Sequence, residues 1–219
     1  MLAFDIGANR GDWTRAALAK GYEVIALEPG KIFRELIKEF IYDRRVTPLR
    51  LAVSQTDYAN VEFFEAKEDG LSTLNEDWLT KDGLPYAGKP YTKTICTTIT
   101  LDTLAKTYGT PDLVKIDVEG GEWSVFKGMS SYMGTIAFEW TDATLSEHNL
   151  QLEYLLHGGY TKVAPQFIVN HCEEPADWYD LAGFDLADWV KDNAQAWIDG
   201  GWKVANLRPT ADVGMCWVK

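Results

Sequence analysis

Apolar residues along the chain follow two spacings, and these divide it into strands and helices. Short apolar runs at 2–6 and 22–27 read as strands. The stretch 12–20 between them is helix-compatible and is closed by Gly21. Ile32, Phe33, Leu36, Ile37, Phe40 and Ile41 fall on one stripe, which predicts an amphipathic helix over 31–43 packed on a sheet. Residues 49–53 read as a third strand ending at Ser54, 61–65 as a short hairpin strand, and 70–72 as a turn. The polar stretch 75–89, with Gly and Pro, reads as loop. The β-branched run 93–100 predicts a strand, and 101–108 a short helix with Asp102 as its cap. A buried strand with a glycine turn is predicted over 111–121, then a short helix to Gly128. A fifth strand at 135–140, a helix at 146–157, and closing strands at 160–169 and 215–218 complete the pattern. Residues 185–198 form a further amphipathic helix. Strands alternating with helices predict an α/β fold, a doubly wound sheet with helices on both faces. No internal repeat interrupts it.

Composition narrows the functions available. The 219 residues are enough for one sizeable core, most simply one domain over 1–219. The 46% hydrophobic content and nine Trp argue for a folded globule. A net charge of −12 speaks against a nucleic acid or an anionic membrane as partner. No apolar run is long enough for a membrane span, and residues 1–7 do not read as a signal peptide. Cys96, Cys172 and Cys216 are odd in number and widely spread, which predicts packing roles in a reducing, cytoplasmic setting.

The richest chemistry lies at Phe4-Asp5-Ile6-Gly7-Ala8-Asn9-Arg10-Gly11-Asp12-Trp13. A strand, a glycine turn and a helix start bring a small ligand against backbone N–H groups. A dinucleotide fingerprint needs glycine at its first, third and sixth positions. Gly7, Asn9 and Asp12 stand there, so two of the three fail. Asp5 and Asp12 oppose a pyrophosphate and suit a cationic ligand, and S-adenosylmethionine carries an ammonium and a sulfonium. The competing reading is a plain turn with Asp12 capping the helix. Glu28, at the end of the second strand, has two carboxylate oxygens able to accept from a ribose diol, unless it is a surface residue before a loop.

A second motif is Pro111-Asp112-Leu113-Val114-Lys115-Ile116-Asp117-Val118-Glu119-Gly120-Gly121. Strand alternation puts Leu113, Lys115, Asp117 and Glu119 on one face and Val114, Ile116 and Val118 on the other. A lysine and two carboxylates together need partners. Either they line a polar cleft at the strand's end or they form a salt-bridged edge strand.

Taken together, these motifs resemble the FkbM family of S-adenosylmethionine-dependent methyltransferases. The resemblance rests on residues 4–11, Leu27-Glu28-Pro29, Gly70-Leu71-Ser72-Thr73-Leu74, Thr100-Leu101-Asp102-Thr103-Leu104 and 112–120, in that order. It covers about the first two-thirds of the chain; residues 171–199 match nothing in the family. It implies a Rossmann-like seven-stranded sheet with a reversed last strand, with 171–200 as an acceptor-side insertion. It implies O-methylation of a sugar or natural-product hydroxyl. Some members are fused to glycosyltransferases. The first strand begins at residue 2, as expected of a module from a longer polypeptide or of a minimal version of the fold. By position, Asp5, Gly7, Asn9 and Gly11 would hold the methionine part of the cofactor, Glu28 the ribose, Ala52 to Ser54 the adenine, and Asp117 would sit near the reacting methyl.

Methyl transfer to a hydroxyl calls for alignment and a base. Asp117, then Glu119 and Glu139, are the carboxylate candidates, with Lys115 orienting one of them or stabilising an alkoxide. Asp117 and Glu139 offer oxygens that Mg²⁺ would accept, but two such oxygens are too few to assign a metal. Trp140, at a strand end, is an acceptor-site candidate. His148 is a weaker one, equally readable as a surface helix residue. Trp189 and Trp197 read either as core anchors or as sugar platforms. A dehydrogenase, a nucleic-acid methyltransferase, a methyltransferase of non-sugar small molecules and a non-catalytic binding module are the alternatives.

Overall fold

The computed structural model describes residues 1–68, 70–167, 172–199 and 213–219. They fall into two compact units, 1–136 and 137–219.

The first unit begins with β1 (Leu2–Ile6), α1 (Asp12–Ala19), β2 (Glu23–Leu27), α2 (Phe33–Phe40) and β3 (Val46–Leu49). It continues with β4 (Ala52–Val53), β5 (Asn60–Ala66), α3 (Asp77–Thr80), β6 (Tyr91–Ile99), α4 (Leu101–Tyr108), β7 (Leu113–Ile116) and α5 (Glu122–Lys127). Its main strands run parallel in the order β7-β1-β2-β3, with Phe4 opposite both Ile25 and Val114. This is a Rossmann-like arrangement, in which winding starts at a central strand. Parallel strands covered on both faces are apolar throughout. Accordingly Phe4, Val24, Leu27, Val114 and Ile116 are all fully buried. Each such side chain stabilises the fold by roughly 1.5–3 kcal/mol.

The outer strand differs from the sequence expectation. Residues 49–53 do not form a third strand of this sheet; β3 lies earlier and carries Pro48. Proline lacks a ladder donor and is confined to edges, and β3 is the edge here. The chain then turns away, and Ala52–Val53 joins a separate sheet of order β4-β6-β5. The 31–43 helix is also shorter than its stripe: Leu36 and Phe40 are buried, whereas Ile41 is exposed. The cap of α4 is Thr100, whose hydroxyl accepts from the Thr103 N–H at 3.1 Å. Asp102 instead accepts from the Ser130 N–H.

The second unit holds β8 (Thr135–Thr141, beginning at the boundary), α6 (Leu145–His157), β9 (Lys162–Gln166), β10 (Tyr179–Asp180), α7 (Leu186–Asp199) and β11 (Val213–Val218). The closing strand β11 runs antiparallel to β9, as does β10, which the sequence pattern does not announce. The predicted strand over 160–169 is seen as Lys162–Gln166; positions 168 and 169, and the ends of the expected 171–200 insertion, lie outside the described residues. In α6 His148, Gln151, Leu152 and Leu155 are buried, a spacing of one helical stripe. Among the described residues no helix is long and apolar enough to cross a membrane.

His148 is not a surface residue: it is 4% exposed. Its Nε2 accepts from the Thr141 backbone N–H at 3.2 Å, which fixes the proton on Nδ1, and Nδ1 donates to Gln151 Oε1 at 3.0 Å. Thr144 completes the set. A second ring proton would point at an N–H donor. Burial holds the imidazole down to about 4. The unfolded chain therefore binds the proton first as pH falls, and the contribution of neutral His148 is lost between about 6.5 and 4. We expect the unfolding free energy of the wild type to drop by up to about 3 kcal/mol more than that of His148→Gln between pH 7 and pH 4 in urea titrations. Parallel profiles would contradict this assignment.

Candidate functional site

Three residues at the end of β1 adopt left-handed backbone: Gly7 (φ 77°), Asn9 (φ 48°) and Gly11 (φ 82°). Two of them are dictated by packing. A Cβ on Gly7 would stand 1.9 Å from the Asp117 carbonyl oxygen, and one on Gly11 would meet the Phe40 ring at 2.4 Å. Asn9 tolerates the conformation better than most side chains. The turn is tied to β2, with the Gly7 and Ala8 N–H groups both donating to the Leu27 carbonyl. Asn9 Oδ1 is buried and has no hydrogen-bond partner. Gly11 caps α1 through its backbone, and Asp12 pairs with Arg15 rather than capping.

Lys115 lies behind this turn. Its ammonium donates to the Gly7 carbonyl at 2.8 Å and stands 3.4 Å from Asp5 and 3.3 Å from Asp117. Three N–H donors thus face three oxygens. Burial opposes the charge, but Asp117 and Asp5 outweigh it and hold the group protonated. Lys115 is 2% exposed and enclosed by the two carboxylates and the Gly7 carbonyl, so it is placed to orient Asp117 and not to meet an alkoxide, which corrects that expectation. Asp5 is corrected likewise. It is fully buried, one oxygen accepting from the Thr14 hydroxyl at 2.6 Å and the other facing Lys115, so it supports the turn from beneath instead of touching a ligand.

Glu28 closes the other side. It is 7% exposed, and its two oxygens accept from the N–H groups of Asn9 (3.1 Å) and Gly30 (2.7 Å). Burial pushes its carboxyl up, while those N–H groups pull it back. Each oxygen keeps a second lone pair. Ala52 and Ser54, expected near the adenine, are both buried. Ala52 is enclosed with Phe63 and Cys96, and the Ser54 hydroxyl is bonded to that of Ser124 at 2.9 Å.

The carboxylate motif departs from simple alternation. β7 ends at Ile116, the Asp117 N–H still reaches the Ile6 carbonyl, and Glu119 and Gly120 then turn left-handed at φ 56° and 80°. Glu119 is thus placed by a turn, not by a strand face. Thr73 and the start of the 75–89 stretch read as polar loop clamp it. Thr73 donates to the Glu119 carbonyl (2.7 Å), Asn75 to the Gly120 carbonyl (3.2 Å), and the Trp78 indole to Glu119 Oε2 (3.2 Å). Trp78 lies so close over Gly120 that a Cβ there would meet its ring at 2.5 Å. Burial, then the like charge of Asp117, raises the Glu119 carboxyl well above the usual range against the Trp78 donor. Asp117 keeps 15% of its side-chain surface open.

Glu122 is the residue that sequence reasoning missed. It is buried, accepts from the Val118 N–H at 3.1 Å, and is pushed by burial up to about 7. The signal was present in its closeness to Asp117 and Glu119, with glycines between. Trp78, within a polar run, gave none.

In the second unit Glu139 is half-buried on β8. Trp140 is not an open strand-end platform: it is fully buried, packed on Gly214, with Phe167 edge-on at 5.6 Å. Phe167 also stacks on Trp189 (4.9 Å) and Trp197 (5.5 Å), both half-buried. His148 is bonded within α6 and its preceding turn, which removes it as a substrate contact.

The chain belongs to the FkbM methyltransferase domain family, whose model matches residues 5–161. No curated protein sequence matches the chain. Among solved structures it is similar to the methyltransferase domain of bacterial CtHen1 (9% identity, 99% of this chain and 89% of that one, TM-score 0.45). It is also similar to a putative methyltransferase from an antibiotic biosynthesis pathway of Anabaena variabilis (14%, 100% and 90%, 0.43). A third is the glycopeptide N-methyltransferase MtfA complexed with sinefungin (13%, 100% and 79%, 0.36).

The Glu122 carboxyl has a direct consequence for stability. Its folded pKa of about 7 exceeds the ordinary 4.5, so the folded state holds the proton longer. The corresponding stability is present below about 4.5 and lost as pH rises through 7. We expect Glu122→Gln to gain on the wild type by up to about 3 kcal/mol between pH 5 and pH 8 in denaturant titrations. A constant difference across that range would show that Glu122 is ionised throughout.

Proposed function

We propose that this chain transfers the methyl group of S-adenosylmethionine to a hydroxyl, that of a sugar or glycan. The observation that carries the reading is the placement of Glu119 and Asp117. Two carboxylates, one of raised pKa, follow the strand whose exit touches Gly7 of the glycine turn. The cofactor fits the residues present. The unpartnered Asn9 Oδ1 is an acceptor suited to an α-ammonium. Glu28, pinned by two N–H groups, presents its remaining lone pairs to a ribose diol. When bound, S-adenosylmethionine supplies an electrophilic methyl on a positively charged sulfur.

The protein's part is alignment and proton removal. A hydroxyl is hardly ionised at neutral pH, so a base near pH 7 is most effective. Burial and the like charge of Asp117 raise the Glu119 carboxyl well above the usual range, which makes it a stronger base than an ordinary carboxylate. Glu119 would take the hydroxyl proton as the oxygen gains the methyl group, and the thioether left by S-adenosylmethionine would keep the electron pair of the broken carbon–sulfur bond. Asp117, held by Lys115, orients the hydroxyl. A net charge of −12 favours a neutral acceptor such as a carbohydrate over a phosphorylated one. A glycosyltransferase that makes the acceptor is the partner this reading suggests.

The test combines calorimetry with product analysis. Wild type should bind S-adenosylmethionine, and Glu28→Gln should weaken it by about 10–100-fold, the worth of hydrogen bonds to a charged acceptor. Glu119→Gln should keep that affinity while kcat falls by about 10²–10⁴. In the wild type kcat/KM should decline as pH falls and Glu119 takes up its proton. Absence of cofactor binding would overturn the proposal. A product methylated on nitrogen would replace the hydroxyl acceptor and leave the transfer in place.

A further inference from the structure

We infer that Glu65, on β5 of the small sheet, is a second recognition residue for the adenosine part of the cofactor, working beside Glu28. The inference rests on the functional reading above. Gly30 follows Glu28 and Pro29, and the space where its Cβ would stand is enclosed from three sides. Glu28 Oε1 lies 2.9 Å from that point, Glu65 Oε1 3.3 Å, and the Phe63 ring 3.3 Å. The two carboxylate oxygens therefore lie within about 6 Å of each other, the most those two distances allow. The backbone holds both in place. Glu28 Oε1 accepts from the Gly30 N–H at 2.7 Å, and Glu65 Oε1 from the next N–H, that of Lys31, at 2.5 Å. The Lys31 ammonium reaches the Ala66 carbonyl and ties the same turn to β5.

Direction along the site follows from Glu28 itself. Its Oε2 faces Asn9 and the glycine turn, where the methionine end belongs; its Oε1 faces Gly30 and Glu65. Glu65 therefore stands on the nucleoside side. Phe63 is buried and gives that side an apolar wall. An ionised carboxylate only accepts, and Glu65 spends one oxygen on Lys31. Its other oxygen suits a donor on adenosine, which has two kinds: a ribose hydroxyl and the 6-amino group. Nothing in the glycine-turn motif points to Glu65, because it arrives from a hairpin that is not part of the parallel sheet.

Glu65→Gln separates recognition from folding, since the Gln carbonyl can still accept from Lys31 while its amide turns the ligand-facing acceptor into a donor. Calorimetry would compare wild type and Glu65→Gln with S-adenosylhomocysteine, adenosine, 2′,3′-dideoxyadenosine and purine riboside, and thermal melts would check the fold. The expected result is an unchanged Tm and about tenfold weaker binding of S-adenosylhomocysteine and adenosine by the variant. One of the two altered nucleosides should bind wild type and variant equally, and which one identifies the hydroxyl or the amino group as the donor. Equal adenosine affinity in wild type and variant would overturn the inference and leave the cofactor assignment intact. Equal weakening of all four ligands would also overturn it, because Glu65 would then act only through the Gly30 turn. Failure of the wild type to bind any of them would overturn the functional reading itself.

Discussion

The first unit depends on a buried ammonium. Lys115 sits between the ends of β1 and β7, and its charge is tolerated because Asp5, Asp117 and the Gly7 carbonyl surround it. A buried ion pair of this kind is weak evidence for stability, since apolar residues could fill the same space. Its value lies in geometry. One nitrogen fixes the glycine turn after β1, the carboxylate after β7 and, through Asp5, the first turn of α1 at Thr14. The contact of Gly7 with the Asp117 carbonyl acts in the same direction. The glycine turn and the carboxylate turn are thereby held to each other, which suits the proposed reaction, whose main demand is alignment.

Around that centre, separate pieces of chain each contribute a hydrogen bond. The segment with Thr73, Asn75 and Trp78 grips Glu119 and Gly120, and the turn after β2 grips Glu28. Thr73 and Asn75 bind backbone carbonyls remote in sequence, as Glu28 binds the Asn9 N–H. Glu119 and Asn9, both in left-handed backbone, depend on such support.

Much of this was legible in the sequence, for identifiable reasons. β1, β2 and β7 are buried and mostly apolar, interrupted within the sheet only by Asp5 and Lys115, so their runs stand out whatever surrounds them. Gly7 and Glu28 sit at strand ends, where the chemistry of open sheets is expected. What failed was the extrapolation of a period beyond its element. Alternation placed Glu119 with Lys115, but the strand stops at Ile116. Helical spacing placed Ile41 inside, but α2 ends at Phe40. Other misses concern tertiary partners. His148 looked exposed because its donors, the Thr141 N–H and the Thr144 hydroxyl, come from the end of β8 and the turn before its helix. Asp5 looked ligand-facing because its burial depends on Thr14 and Lys115, which no local pattern announces. Trp78 and Glu65 belong to segments whose role appears only when the small sheet is assembled.

Pro48 in the edge strand bears on how these molecules behave in a crowd. An open parallel edge offers a row of backbone donors and acceptors to any extended chain, including another copy of the protein. A proline removes one donor from that row and breaks its regular repeat. The residues after it leave the sheet for a different one, so the edge is short as well as interrupted. β3 thus works as a molecular terminator. It keeps a hydrophobic sheet from growing across molecules, which matters for a newly made chain whose core strands are sticky before they are covered.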